Sequence, residues 1–298
     1  MNSRFKGVGV AMVTPFNADL SIDYAGFGRL IQHISDGGVD YFVLQGTTGE
    51  SPTVGKSEKK ELLRFLKENN TRQLPIVYGV GGNDTSEVVE TIKSTDFQGV
   101  DAILSVCPYY NKPGKRGVIE HFTRIAEASP VSVILYNIPP RTGINMSAET
   151  ICTLAQHPNI IGVKEASCII EQCMEIVRDK PEDFLLISGD DVQAVPIISI
   201  GGSGVMSVIA NAFPTKFSGM IHAALQGDFG FASRELGHFL RIDPLLYEEG
   251  NPVGVKKILE ILGITGSGVR LPLYTASDDL GERMKTVLQK DRLVELVA

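Results

Sequence analysis

A repeat of pattern, not of residues, constrains this chain most. From Val8 onward, short apolar runs of strand character alternate with amphipathic helical stretches, and the alternation occurs eight times before Gly227. The predicted strands are Val8–Val13, Tyr41–Gln45, Ile76–Val80, Ala102–Val106, Val131–Tyr136, Ile160–Lys164, Phe184–Ser188 and Gly204–Ile209, each followed by a helical candidate. Several helices open on polar caps: Asp23 before Tyr24, Asp84 three residues before Glu87, and Ser147 before Ala148. Eight such units predict an α/β fold closed into a (β/α)8 TIM barrel, typically about 250 residues long. The alternative is an open doubly wound sheet. It usually carries a glycine fingerprint after the first strand, where this chain has Thr14-Pro15-Phe16. Past Gly227 the strand patterns cease, and helical segments such as Phe229–Phe239 and Val253–Leu262 follow. The expected organisation is a barrel over residues 1–227 and a small C-terminal helical appendage over residues 228–298.

A chain of 298 residues with 43% hydrophobic content can bury a large core. Its net charge of -7 and pI near 5.3 argue against a nucleic-acid partner, which would need clustered Lys and Arg to displace counterions. No membrane span is expected. The first residues, Met1 to Val10, turn into strand pattern rather than a signal sequence, and the long uncharged stretch Val192–Thr215 is broken by Pro196, Gly201, Gly202, Gly204 and Pro214. The four cysteines lack CxxC spacing and the five histidines form no HxxxH pair, so neither disulfides nor a metal site is expected, which suits a reducing cytoplasm.

In a (β/α)8 barrel the reacting groups lie at the carboxyl ends of the strands and in the loops that follow. The sixth predicted strand ends in Lys164. Burial of any lysine disfavours the ammonium form, and a fall of about two pKa units corresponds to roughly 2.7 kcal/mol of differential stabilisation. A neutral amine can condense with a ketone or keto acid, and the protonated Schiff base is an electron sink for a carbanion at the neighbouring carbon. The bland reading has Lys164 emerging at a strand end to meet a carboxylate such as Glu165, and structural ion pairs are commoner than catalytic lysines.

Other unusual polar residues align at the same end. Gln45 to Ser51, after the second strand, has glycines that let backbone amides approach an anion, or is simply a polar turn. Tyr109 and Tyr110 follow the fourth strand, as a functional pair or as packing aromatics. The fifth ends in Tyr136, with Arg141 in the next loop suited to a carboxylate. The seventh ends in Ser188-Gly189-Asp190-Asp191, and Met206 lies in the eighth. The Gly201–Gly204 cluster could cradle phosphate, but it precedes a strand and glycine also serves close packing.

Gly46-Thr47-Thr48-Gly49-Glu50-Ser51, Pro108-Tyr109-Tyr110-Asn111-Lys112-Pro113, Tyr136-Asn137-Ile138-Pro139-Pro140-Arg141-Thr142-Gly143, Gly162-Val163-Lys164-Glu165-Ala166 and Ser188-Gly189-Asp190-Asp191 occur in that order. In these motifs the whole chain resembles the class I pyruvate-dependent aldolases and lyases, and among them the dihydrodipicolinate synthases. The resemblance implies a cofactor-free lyase that condenses pyruvate, held as a Schiff base on Lys164, with L-aspartate 4-semialdehyde in lysine and diaminopimelate synthesis. It implies that Tyr136 moves protons, and that Thr47 links it to Tyr110 from a neighbouring subunit of a dimer of dimers. Thr48 would bind the pyruvate carboxylate, Arg141 the carboxylate of the semialdehyde, and Gly189 and Met206 would contribute backbone groups near the lysine. Relatives often carry isoleucine at the Met206 position.

The resemblance also implies an effector pocket for L-lysine at Ser51, Pro52, Lys56, Lys59, Asn83, Glu87 and Tyr109. Sensitive relatives often have histidine where this chain has Lys56 and Lys59, and two ammonium groups should repel a cationic effector by about 1 kcal/mol per close pair even in a water-like dielectric. Weak or absent inhibition is expected. A solvated helix face carrying Lys59 beside Glu58 and Glu61 gives the same expectation. Two other functions fit the motifs: a sister aldolase of a sugar-derived 2-keto acid, or a non-catalytic member that only binds a keto acid.

Overall fold

The computed structural model describes residues 2–291 and 293. Met1, Arg292 and residues 294–298, at the outer ends of the expected barrel and appendage, lie outside the described residues. Eight strands pair in sequence order as a closed barrel: β1 (Gly7–Ala11), β2 (Tyr41–Leu44), β3 (Ile76–Gly79), β4 (Ala102–Val106), β5 (Ser132–Asn137), β6 (Ile160–Glu165), β7 (Leu185–Ser188) and β8 (Gly204–Ser207). This is the TIM-barrel fold expected from the alternation, and the open sheet is excluded.

The strand ends differ from expectation by up to two residues. Val208 and Ile209 are buried yet lie beyond β8, with Ile209–Asn211 forming a 3-10 turn. Apolar runs report burial, and burial continues past the last ladder bond. The caps form as read: Asp23 accepts from the Gly26 N–H, Asp84 from those of Ser86 and Glu87, and Ser147 from that of Thr150. The helices Phe229–Phe239 and Val253–Ile261 occupy the C-terminal segment, followed by Asp278–Lys290.

The chain divides into two compact units. The first comprises the described residues of Met1–Gly9, Asp40–Val43 and Pro75–Met206; the second comprises Val10–Val39, Leu44–Leu74 and the described residues of Ser207–Ala298. In the first, Tyr41, Val43, Ala102, Leu104, Ile134, Tyr136, Leu185, Ile187 and Met206 form one buried cluster. Their two-residue spacing within strands is that of one sheet face. Gly204, the first residue of β8, serves close packing, since a Cβ there would come within 2.0 Å of the Gly7 carbonyl oxygen. In the second, Phe217 and Phe239 meet edge to face at 5.5 Å. All four cysteines are free.

Between the helices Thr85–Ser94 and Lys115–Ala128, His121 is buried with its Nδ1 2.9 Å from the Thr85 hydroxyl. Burial pushes its imidazole down to about 4. The unfolded chain therefore takes up a proton below about pH 6.5 that the folded chain refuses until about pH 4, so stability falls across that window as pH drops. At pH 5 this single group should cost about 2 kcal/mol relative to pH 7. Urea unfolding of the wild type and of His121→Gln at both pH values measures it: the variant should lose less stability on acidification, and an equal loss would contradict the assignment.

Candidate active site

The first unit brings Lys164 and Tyr136 together through a register shift. The pairing of β5 with β6 starts at Val133↔Ile160, slips between Val133 and Ile134, and continues as Ile134↔Gly162 to reach Tyr136↔Lys164. Without that bulge Tyr136 would face Val163. One extra residue moves every later side chain of a strand to its other face, so the slip turns Lys164 to the side where Tyr136 lies. Lys164 Nζ sits 4.5 Å from the Tyr136 ring centroid, and both residues are 5% exposed.

Glu165, the carboxylate of the bland reading, faces away. It accepts from Asn137 Nδ2 at 2.9 and 3.1 Å, from the Ser167 N–H at 2.6 Å and from Gln172 Nε2 at 3.0 Å. Burial raises its pKa, and those hydrogen bonds oppose the rise. Asn137 and Gln172 were not among the predicted site residues; only the pairing Asn137↔Glu165 places the first of them beside the carboxylate.

Gly189 packs directly on the lysine stem. A Cβ there would lie 3.2 Å from Lys164 Cε, 2.7 Å from Ala166 Cβ and 3.1 Å from the Glu165 carbonyl oxygen. The position is kept small so that the lysine can pass, and the Gly189 N–H donates to that carbonyl at 2.7 Å. The register Lys164↔Ile187 and Ile187↔Gly204 carries the row to β8, two residues before buried Met206. Arg141 is exposed on the short helix Pro139–Thr142. Tyr110 is 89% exposed with φ +70, a left-handed backbone that side-chain-bearing residues rarely adopt and that clusters at functional sites. Asn83 Nδ2 donates to the Tyr109 carbonyl at 3.2 Å, and Glu87 is exposed.

The second unit carries Thr47 and Thr48 in a 3-10 turn, Thr47–Gly49, directly after β2. Thr48 is buried, and its Oγ1 accepts a hydrogen bond from Asn251 Nδ2 at 3.1 Å. Asn251 carries no motif signal in the sequence. Ser51 is half-buried and begins the next turn; Lys56 is exposed as the first residue of the helix Lys56–Asn69. Lys59 is half-buried, and burial first, then the Lys56 charge, lowers its pKa. No group of three or more His, Cys, Asp or Glu side chains among the described residues could hold a metal ion, and no helix there is long and apolar enough to cross a membrane.

The fold is a TIM barrel that carries a buried lysine and a buried tyrosine side by side on adjacent strands. Residues 4–291 match the Dihydrodipicolinate synthetase family, and the chain belongs to it. It is 53% identical over 276 residues to the 4-hydroxy-tetrahydrodipicolinate synthase of Cytophaga hutchinsonii, covering 93% of each chain. To that of Flavobacterium psychrophilum it is 46% identical, covering 94% of this chain and 96% of the relative. Among solved structures, dihydrodipicolinate synthase from Cyanidioschyzon merolae with lysine bound superposes with a TM-score of 0.93 at 37% identity, covering 98% of this chain and 99% of that one.

Proposed function

We propose that this chain condenses pyruvate with L-aspartate 4-semialdehyde to form 4-hydroxy-tetrahydrodipicolinate, the reaction for which its relatives are named, and that Lys164 carries it. The observation that supports this most is the pairing of Lys164 with Tyr136 while Glu165 is committed elsewhere. Lys164 Nζ attacks the pyruvate keto carbon, water leaves, and a protonated imine forms. Loss of a methyl proton gives an enamine, whose carbon attacks the aldehyde of the second substrate; hydrolysis or transimination then frees Lys164. Each step needs a proton moved at one carbon, nitrogen or oxygen, and Tyr136 is the group beside the amine suited to do so.

The motif resemblance supports the remaining roles: Thr47 and the neighbouring subunit's Tyr110 in a proton relay, Thr48 on the pyruvate carboxylate, Arg141 on that of the semialdehyde, and backbone groups of Gly189 and Met206 beside the lysine. The exposure of Tyr110 suits a residue that acts across an interface of a dimer of dimers. Residues 1–227 form the barrel and 228–298 the appendage of a cytoplasmic enzyme in this reading.

Arg141→Ala tests the substrate. The variant should retain formation of the pyruvate adduct but lose turnover of the semialdehyde by about 10²-fold or more, because its two-pronged carboxylate contact belongs to the second substrate. Equal loss of both steps would show the Arg141 assignment wrong. Feedback inhibition by L-lysine should be weak, since Lys56 and Lys59 add positive charge to the effector positions carried over from relatives. Initial rates at subsaturating pyruvate with and without millimolar L-lysine check this, and strong inhibition would overturn the charge argument.

A further inference from the structure

A fully buried ion pair lies behind the Thr47–Thr48 turn. Lys256, in the helix Val253–Ile261, donates from Nζ to Glu50, and the two side chains are 0% and 1% exposed. Glu50 closes the turn in a left-handed conformation, φ +54 and ψ +36, which glycine would adopt at no steric cost. Lys256 Nζ also donates to the Gly268 carbonyl at 2.7 Å and sits 4.2 Å over the Phe16 ring. The other Glu50 oxygen accepts from the Arg270 N–H at 3.0 Å. Arg270 in turn holds Glu58 through two nitrogens and donates to the carbonyls of Thr53 and Leu20.

Desolvating two charges this completely offsets most of their attraction, and apolar residues of like volume commonly replace such pairs without loss of stability. What an apolar pair would not supply is a fixed point on a strained turn. The turn is held at each successive residue: Thr48 by Asn251 on its hydroxyl, Gly49 by Thr14, whose Oγ1 donates to its carbonyl at 2.7 Å, and Glu50 by Lys256 and Arg270. A left-handed residue persists only where its surroundings over-determine it. Asn251 also sets a polarity. Its Nδ2 occupies an acceptor site of the Thr48 hydroxyl, which leaves the single O–H free to donate outward.

We propose that Asn251 and Lys256 are positioning residues for pyruvate capture, clamping the Thr48 hydroxyl and the Glu50 end of the turn so that Thr48 meets the substrate carboxylate already aimed. This rests on the assignment of Thr48 to that carboxylate. The clamp acts on binding of the first substrate and leaves the chemistry at Lys164 untouched; misplacement of such a group by about 1 Å is enough for a large loss. It also gives the C-terminal segment, from Asn251 to Arg270, a role in the reaction.

Three variants test it: Thr48→Val, Asn251→Asp, which reverses the hydrogen bond so that the threonine must donate inward, and the double variant Glu50→Gln/Lys256→Met, which keeps the shape and removes both charges. Each is checked for folding by circular dichroism and thermal melting. Then the KM for pyruvate, kcat, and the borohydride-trapped adduct at saturating pyruvate are measured. Thr48→Val and Asn251→Asp should raise the pyruvate KM tenfold or more, the folded double variant should do likewise, and Lys164 should still be trapped in all three at saturation. If Thr48→Val raises KM but Asn251→Asp, or the folded double variant, stays within twofold of the wild type, the positioning role is overturned and the Thr48 assignment stands. Loss of kcat and melting temperature with KM unchanged marks a purely structural clamp and overturns it equally. A normal KM in Thr48→Val overturns the carboxylate assignment and the clamp with it. Should the double variant fail to fold, Asn251→Asp alone decides.

Discussion

Replacing Lys164 by alanine should lower turnover by more than about 10³-fold, and borohydride added to the wild type with pyruvate should leave a single reduced adduct, on Lys164. The expectation follows from what surrounds the amine. The face of Tyr136 lies 4.5 Å from it, while the adjacent carboxylate of Glu165 is taken up by Asn137, Ser167 and Gln172. Lys164→Arg separates a nucleophile from a structural cation, because a guanidinium keeps its charge and does not deprotonate in proteins. A nucleophilic role makes this variant as inactive as alanine. Substantial activity in Lys164→Arg, or an adduct on another lysine, would sink the mechanism. Mass spectrometry of the digested adduct reads the site directly.

Tyr136→Phe should lower kcat by roughly 10²–10⁴-fold, the range typical of losing a positioned acid-base group. Phenylalanine keeps the ring beside Lys164 and the packing of the buried cluster that includes Ile134, Ile187 and Met206. Only the hydroxyl is lost. The fold should therefore survive, and Lys164 should still be trapped by borohydride, though more slowly. Stopped-flow measurement of adduct formation beside steady-state turnover separates the two. Unchanged kcat in a correctly folded variant would remove Tyr136 from the proton transfers.

The sequence by itself determined the barrel and pointed to the carboxyl ends of its strands for the candidate site. The eight alternations could be counted because a parallel strand buried on both faces and an amphipathic helix leave different local patterns. Asp23, Asp84 and Ser147 were legible as caps because capping spans only three residues of chain. Lys164, Tyr136 and Arg141 stood out as polar groups at or after strand ends, and the order of the motifs supplied the family. Which side chains meet was decided only in the tertiary structure. The slip after Val133 that turns Lys164 toward Tyr136 is a property of two strands in register and leaves no mark in either alone. The burial of Glu165 among Asn137 and Gln172, which removes it as a partner for the lysine, depends on the same register. Asn251 and Lys256 reach Thr48 and Glu50 across 203 and 206 residues. An asparagine and a lysine near a helix start look solvated in a linear reading. Local pattern carries burial and period, whereas the pairing of distant polar groups is set by how the chain closes on itself.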